Sequence, residues 1–411
     1  MQRRFPAFDQ WVASLFEKLE DFSDIQEPSS EIKRRAISSI NDYVSYYTNQ
    51  TTRAGIAQSI GRKNHMEDWV IPCRSESVDQ DTTLIEHGLP FNCNKVVAVI
   101  DGHQRAEKAV SEDHFTAAYV SRILPYELEQ QLIMWHELDL PDPSDAVRTY
   151  NPLKLSFTSV DRMAHEKEGG TTAVVAMVIG STLYVCNAGD SRAILITSTG
   201  KVIQASEDAK CGFDEIKVSE SSESSELSES SELSELSESS ELSESSELSE
   251  SSETTPVTQL PDKYTRSALK RGGFVVPGGL YRNRINMEVE PARTIGDHKY
   301  RESQFTYAVN PRPKIVPFSD DKLDVVLNER RYERLAGDAS LKDCLLVLVS
   351  DGITGAISSQ QIGELVYVLW HNEFNPEEIA AYLIEAAFQC GSKDNMTALI
   401  TPVSALYPDT D

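Results

Sequence analysis

Residues 96–103 (VVAVIDGH) place an unbroken apolar run directly before an acid. Five consecutive apolar residues, four of them valine or isoleucine, predict a strand that is buried on both faces. The first polar side chain after such a strand lies at its exit, where the sheet fixes the backbone and the carboxylate stays accessible. The pattern therefore predicts that Asp101 is a carboxylate held in a fixed position.

Other acids lie beside predicted strands in the same way. They are Asp351 after the apolar run of 345–349, Asp394 before 396–400, and Glu67 and Asp68 before 69–73. One Asp-Gly step is usually only a turn, but several clustered carboxylates repel one another unless cations neutralise them. Oxygen ligands suit Mg²⁺ or Mn²⁺, and two such ions can activate water for attack on phosphate. The pattern predicts a binuclear metal hydrolase.

The formal charge of −26 comes in large part from one segment. Twelve glutamates lie between Glu220 and Glu253, and without them the charge is −14. This balance argues against a nucleic-acid-binding or membrane-surface protein, because both need a basic surface. The six scattered cysteines favour free, buried thiols in a reducing compartment. No signal peptide or membrane span is evident in the sequence, so we expect a cytoplasmic protein.

Hydrophobic periodicity predicts a chain of mixed helices and strands. Amphipathic helices are expected at residues 5–19 and 29–47, as an N-terminal helical extension over 1–50. Further helices are predicted at 105–124, 152–167, 358–370 and 375–387. Strands are predicted at 53–59, 69–73 and 96–100. Residues 171–179 and 182–196 are interpreted as adjacent strands of an antiparallel meander.

Residues 219–253 repeat the triplets Ser-Ser-Glu and Leu-Ser-Glu. A period of three fits neither a helix nor a strand, and neighbouring glutamates repel, so we predict a disordered insert at about 211–260. A basic segment at about 262–290 follows it and contains Lys263, Arg266, Lys270, Arg271, Arg282 and Arg284. Two interpretations of the repeat stay open: it screens the basic segment, or it is a neutral expansion in a tolerant loop.

Seven motifs occur in order between residues 51 and 402. They are MED (66–68), DGH (101–103), GGTTA (169–173), NAGDSR (187–192), RTIGD (293–297), SDG (350–352) and KDNMT (393–397). Together they resemble the metal-dependent Ser/Thr phosphatases of the protein phosphatase 2C type. The resemblance implies an α+β fold, a four-layer αββα sandwich of two antiparallel β-sheets flanked by helix pairs, over a domain at 51–405. The basic segment then corresponds to the flap beside the active site.

The resemblance also implies a set of site residues. Two Mg²⁺ or Mn²⁺ ions, with a weaker third, would be held by Asp101 as the bridging ligand, the Gly102 carbonyl, Glu67, Asp68, Asp190, Asp351 and Asp394. His103 matches the general acid of the family. The family's phosphate-binding arginine is replaced by Lys63, with Arg62 one place earlier, so both are candidates. Gln104 and Arg105 stand where the family has glycines. Gly355 stands where the family often has an acid, and this difference concerns the binding of the third ion.

The predicted function is hydrolysis of phosphoserine and phosphothreonine in phosphorylated proteins by metal-activated water, by a chain that we expect to be monomeric. One alternative is an inactive scaffold that binds phosphoproteins, which the changes at 63, 104 and 105 keep open. Another is an acidic interaction module built around the repeat. We interpret Arg293 and Asp297 as a structural pair, and His65 and His298 as incidental.

Overall fold

The structure is a computed structural model that describes residues 44–72, 91–103, 115–139, 151–217, 257–271, 273–277, 283–286, 289–298, 310–318, 326–327, 330–331 and 340–408. The strands in these residues are β1 (Val44–Asn49), β2 (Ala54–Ser59), β3 (Asp68–Ile71), β4 (Val97–His103), β5 (Gly170–Thr171), β6 (Ala173–Ile179), β7 (Thr182–Ala188), β8 (Arg192–Ile196), β9 (Val202–Gln204), β10 (Phe213–Lys217), β11 (Val257–Pro261), β12 (Ile295–Gly296), β13 (Lys314–Phe318), β14 (Val326–Leu327), β15 (Arg330–Arg331), β16 (Leu345–Val349) and β17 (Met396–Pro402). The α-helices are α1 (Thr116–Glu137), α2 (Pro152–Met163), α3 (Lys263–Lys270), α4 (Asp351–Thr354), α5 (Ser359–His371) and α6 (Pro376–Gln389). Short 3₁₀ helices lie at Cys93–Lys95, Ala164–Glu166, Leu341–Asp343 and Val403–Leu406.

Two antiparallel sheets form the centre of the fold. One has six strands in the order β1-β2-β17-β16-β8-β9, and the other has seven, β12-β5-β4-β6-β7-β13 with β3 paired to β4. A hydrophobic layer that includes Val97, Leu195 and Leu399 fills the space between them. Helices α1 and α2 pack on the outer face of the seven-stranded sheet, and α5 and α6 pack on the six-stranded sheet. The predicted αββα sandwich is therefore confirmed.

Strand β4 is buried on both faces, as its apolar run predicts. Val97 and Val99 lie in the layer between the sheets, whereas Ala98 and Ile100 pack under the helices. Because side chains alternate along a strand, Asp101 follows Val97 and Val99 on the face toward the second sheet. The strand thus aims its terminal acid at the layer where the two sheets meet.

The helix predicted at 29–47 is wrong at its C-terminal end. Residues 44–49 form β1, which pairs with β2 from Val44↔Ser59 to Asn49↔Ala54. The segment is rich in β-branched and aromatic residues, which favour a strand, and a turn with Arg53 at φ +49° reverses the chain. The helical extension predicted over 1–50 therefore cannot include these residues. The helix predicted at 5–19 lies outside the described residues.

The meander predicted over 171–196 is correct only in its first half. Strands β6 and β7 form the expected hairpin, but β8 pairs with β16 in the other sheet. The chain changes sheets at Gly189, whose φ of +131° favours glycine. A Cβ there would also lie 2.3 Å from the Thr172 Cβ. The crossover leaves Asp190 in the connection between the two sheets.

The disorder predicted at about 211–260 is wrong at both ends of that range. Strands β10 and β11 lie within the range predicted to be disordered and pair with each other, from Phe213↔Pro261 to Lys217↔Val257. The Ser/Glu repeat between them lies outside the described residues. The basic segment predicted at about 262–290 begins with helix α3. A small apolar cluster that includes Cys211, Ala268 and Ile285 packs against this helix.

The remaining helices agree with the sequence patterns at most of their bounds. Helix α1 extends to Glu137, beyond the predicted end at 124, and residues 104–114 lie outside the described residues. Capping boxes start α5 at Ser358 and α6 at Asn375, as predicted. Cys186 and Cys344 are buried free thiols. In the described part of the chain, each helix is too short or too polar to cross a membrane.

Candidate active site

Two acids face each other at the edge of the seven-stranded sheet. Asp68 in β3 and Asp101 in β4 are cross-strand partners, and like charges in that position repel. Asp68 is 3% exposed, and its Oδ2 has no hydrogen-bond partner among the described residues. A buried carboxylate oxygen without a partner is costly. This pair therefore needs a cation or a proton.

The protonation of both acids reflects that cost. Burial raises the pKa of Asp68 to about 6, although hydrogen bonds from Thr397 and Ser350 act in the opposite direction. Burial, reinforced by the charges of Asp68 and Asp351, raises the pKa of Asp101 well above its usual value. The pKa of Glu67 is also raised by burial, and the Lys63 ammonium lowers it only in part. Burial and mutual repulsion disfavour the ionised form of these acids, and a bound cation would offset both effects.

The six-stranded sheet brings two more acids to the same edge. Asp351 follows the end of β16 and Asp394 precedes β17, and these strands pair antiparallel. A Cβ on Gly352 would lie 1.9 Å from the Asn395 carbonyl oxygen, so the two segments approach closely only because residue 352 is glycine. Burial, then the charge of Asp190, raises the pKa of Asp351 to about 6. Both sheets thus contribute acids to one site.

Asn395 connects the two halves of the site. Its Oδ1 accepts from the Glu67 backbone N–H at 2.8 Å, and its Nδ2 donates to the carbonyls of Ile60 and His65 at 2.9 Å each. These three bonds fix the loop that carries Lys63 and Glu67. The KDNMT motif therefore positions this loop and also supplies Asp394. His65 contributes its backbone carbonyl to these bonds.

Lysines lie among the acids. Lys63 Nζ is 2.7 Å from Asp394 Oδ1, whereas the Arg62 guanidinium lies over the Phe388 ring at 5.3 Å from its centroid. Lys63, of the two phosphate candidates, is the one whose charge points into the site. Lys210 Nζ lies 3.0 Å from Asp190 Oδ2 and 3.5 Å from Asp351 Oδ2. Sequence reasoning missed Lys210, because no motif or periodicity marks it.

His103 is paired with a buried carboxylate. Its Nε2 lies 2.7 Å from Asp297 Oδ2, and the Thr294 hydroxyl donates to the same oxygen at 2.7 Å. Although burial alone lowers the pKa of His103, the Asp297 charge and hydrogen bond raise it above its usual value. Asp297 therefore contacts a candidate site residue, which the interpretation of Arg293 and Asp297 as a structural pair did not foresee. Strand β5 sets this contact, because it pairs with both β4 and β12.

Arg293 in the RTIGD motif and His298 directly after it form contacts of their own. Arg293 donates to the Arg312 carbonyl, which agrees with a structural role. His298 Nε2 lies 2.8 Å from the Asp161 carbonyl, beside helix α2. It belongs to the packing of that helix, as expected for a histidine outside the chemistry.

The residues fit a hard divalent cation. The donors are carboxylates, one of them with an unpaired buried oxygen, and Mg²⁺ and Mn²⁺ prefer such ligands. Within the described ranges, no three acid, histidine or cysteine side chains already converge as a complete coordination sphere. Lysines lie beside several of these acids: Lys210 is between Asp190 and Asp351, and Lys63 contacts Asp394.

Comparison with known proteins identifies the family. The sequence model of the family "Protein phosphatase 2C" matches residues 79–212 and 269–396, more than half of the chain. The chain belongs to the protein phosphatase 2C family. The unmatched residues 213–268 contain the Ser/Glu repeat, and Glu67 and Asp68 precede the matched region.

Protein phosphatase 2C relatives resemble the chain at low identity. Human "Probable protein phosphatase 1N" is 24% identical over 308 residues, which are 74% of this chain and 52% of that protein. Bovine "Protein phosphatase 1L" is 25% identical over 348 residues, 83% of this chain and 69% of that protein. The chain spans about half the length of the human relative.

Solved structures share the protein phosphatase 2C fold. A phosphatase from Toxoplasma gondii has a TM-score of 0.53 at 15% identity and covers 89% of this chain and 97% of its own. A sex-determining protein of C. elegans has a TM-score of 0.50 at 16% identity and covers 98% of this chain and 86% of its own. These likenesses support the two-sheet architecture.

Proposed function

We propose that this protein phosphatase 2C family member hydrolyses phosphoserine and phosphothreonine in proteins with the help of Mg²⁺ or Mn²⁺. The observation that carries the proposal is the convergence of acids from both sheets, in which the buried Asp68 Oδ2 has no hydrogen-bond partner among the described residues. Desolvated carboxylates of this kind gain most from a divalent cation. A cytoplasmic location and a monomeric state stay predictions.

In the proposed function, the Asp101 carboxylate and the Gly102 carbonyl would help to hold two ions. The remaining ligands would be Glu67, Asp68, Asp351 and Asp394. Asp190 is the candidate ligand of a weaker third ion, but Lys210 already pairs with it. When bound, the ions supply positive charge for the phosphoryl oxygens and lower the pKa of water so that it can attack phosphorus. The protein contributes by fixing the acids at the ends of paired strands.

His103 serves as the general acid. Asp297 engages its Nε2, so Nδ1 is the ring nitrogen that presents a proton to the departing serine or threonine oxygen. The Asp297 carboxylate favours the protonated imidazolium, which keeps this proton available near neutral pH. The histidine side chain is 34% exposed and Asp297 is 1% exposed. Substrate can thus reach His103, whereas Asp297 is shielded from solvent.

Lys63 binds the phosphate. Its ammonium contacts Asp394 at 2.7 Å, so it lies beside a carboxylate that the proposal assigns to a metal. From this position the Lys63 ammonium would also be available to a phosphoryl oxygen of the substrate. A lysine holds phosphate as a point charge without the bidentate geometry of arginine.

The test is hydrolysis of p-nitrophenyl phosphate and of a phosphothreonine peptide by the full chain. Turnover is expected with Mn²⁺, and it is expected to disappear with EDTA or in Asp351→Ala. Circular dichroism of the variant shows whether its fold is retained. A folded wild-type protein that binds Mn²⁺ but turns over neither substrate would refute the proposal.

One observation favours the alternative of an inactive scaffold. Lys63 pairs with Asp394 and Lys210 pairs with Asp190, so two lysines compete with metal ions for acids of the site. A scaffold would bind phosphoprotein with the same affinity in EDTA as in Mn²⁺. Binding of a phosphothreonine peptide under both conditions, followed by fluorescence anisotropy, separates the two functions.

A further inference from the structure

Lys210 forms the centre of an ion-pair group at one end of the site. Its Nζ lies 3.0 Å from Asp190 Oδ2, 3.1 Å from Glu290 Oε1 and 3.5 Å from Asp351 Oδ2. The three acids come from three parts of the chain: the β7–β8 crossover, the end of the flap and the start of α4. One positive charge therefore serves three carboxylates.

The backbone holds Lys210 in place. The Ala209 N–H donates to the Gly189 carbonyl at 2.7 Å, and the Ala292 N–H donates to the Ala209 carbonyl at 2.5 Å. Lys210 itself forms a β-bridge with Pro291. The lysine stem thus starts from a fixed point between the crossover and the flap, and its side chain is only 35% exposed. The backbone therefore fixes the position of Lys210, in contrast to that of a lysine on an exposed surface.

The group keeps a negative excess. Glu290 also binds the Arg284 guanidinium through its other oxygen at 2.9 Å, which leaves Asp190 and Asp351 dependent on Lys210. Burial alone lowers the pKa of Lys210, but the charges of Asp190, Asp351 and Glu290 outweigh burial and raise it.

We propose that Lys210 is a built-in counter-cation, which takes the place of a divalent ion between Asp190, Glu290 and Asp351. Three carboxylates around one ammonium offer the same oxygen donors that a hard divalent cation uses. Wild-type protein consequently binds one Mn²⁺ fewer than its acids alone would hold.

The test counts bound Mn²⁺ by equilibrium dialysis with elemental analysis, on the full chain without substrate. Lys210→Ala is expected to bind one more Mn²⁺ per chain than wild type, and Lys210→Ala with Glu290→Gln is expected to return to the wild-type number. Lys263→Ala is the matched control, because Lys263 pairs with Glu207, which Lys314 also neutralises. It should bind the wild-type number.

Thermal unfolding in EDTA gives a second readout. Lys210→Ala should have a lower Tm than Lys263→Ala, and Mn²⁺ should recover more of the loss in Lys210→Ala. Lys210→Met, which keeps the aliphatic stem, is measured in parallel so that the count does not depend on one variant folding. An unchanged Mn²⁺ count in the folded variants, or an extra ion that persists in the Glu290→Gln double variant, would overturn the proposal. The count is independent of phosphatase activity, so it can fail or succeed whatever the protein hydrolyses.

Discussion

Asp68→Asn should stabilise the metal-free protein, although it removes a residue of the site. The pKa of Asp68 is about 6 in the folded protein, compared with a usual value of 3.8. The folded state therefore binds more protons than the unfolded state between these two values, and stability falls as the pH rises through that window. Each pKa unit corresponds to about 1.4 kcal/mol, so the ionised Asp68 costs the fold about 3 kcal/mol above pH 6.

Asparagine removes this cost and keeps the side-chain shape. Thr397 and Ser350 can still donate to its amide oxygen. The amide N–H₂ can donate to Asp101, the cross-strand partner. In EDTA at about pH 7.5, we expect the free energy of unfolding to be higher in the variant by up to about 3 kcal/mol. The gain should vanish near about pH 4, where folded wild-type Asp68 is already protonated.

Urea denaturation followed by circular dichroism measures this difference across pH, with and without Mn²⁺. In Mn²⁺ the order should reverse, because the variant loses ligand affinity and with it the binding energy that stabilises the folded state. Asp343→Asn is the control, since Asp343 is exposed and should show neither effect. An Asp68→Asn protein that is less stable than wild type in EDTA at neutral pH would refute the reasoning. A gain that does not depend on pH would refute it as well.

Two further predictions concern the proposed phosphatase chemistry. Asp297→Asn should lower the pKa of His103, because Asp297 raises it. Each pKa unit lost leaves about tenfold less imidazolium at pH values above that pKa. The alkaline limb of kcat should therefore move to lower pH, and NMR titration of His103 in Mg²⁺ should show the same shift. Asparagine tolerates the φ of +54° at this position, so an unchanged His103 pKa would contradict the assigned role. Lys63→Ala should raise KM for a phosphothreonine peptide by about 10- to 100-fold, the value of a charge-assisted hydrogen bond, while Arg62→Ala, which removes only the contact with Phe388, should change KM by less than about threefold. Equal effects of the two substitutions would contradict the assignment of Lys63.

Local patterns predicted the strands that carry the acids. The apolar runs before Asp101 and Asp351 predicted buried strands, and each run ends at an acid. The pairing of β3 with β4 and of β16 with β17 was not predicted and comes from the structure. The end of the helix predicted at 29–47 failed because periodicity in so short a segment does not separate a helix from an edge strand. Val44 and Tyr47 satisfy both patterns, and only pairing with β2 decides between them.

Contacts between distant segments could not be predicted in this way. Lys210 reaches Asp351 across more than a hundred residues of sequence, and its neighbours in the chain carry no signal of that contact. Asp297 was visible in a motif, but its role depends on β5 lying between β4 and β12. Tertiary packing decides such pairs, and spacing in the sequence does not encode it.

The hairpin of β10 and β11 has a consequence for how this chain can vary. Because Lys217 and Val257 are cross-strand partners, the acidic tract leaves and re-enters the fold at a single rung. Triplets can be added to or lost from the tract without changing the register of any strand in the two large sheets. Doubling the length of such a loop costs only about 0.6 kcal/mol of closure entropy. Mutations that change the length and charge of the tract therefore leave the strand pairing of the two large sheets intact.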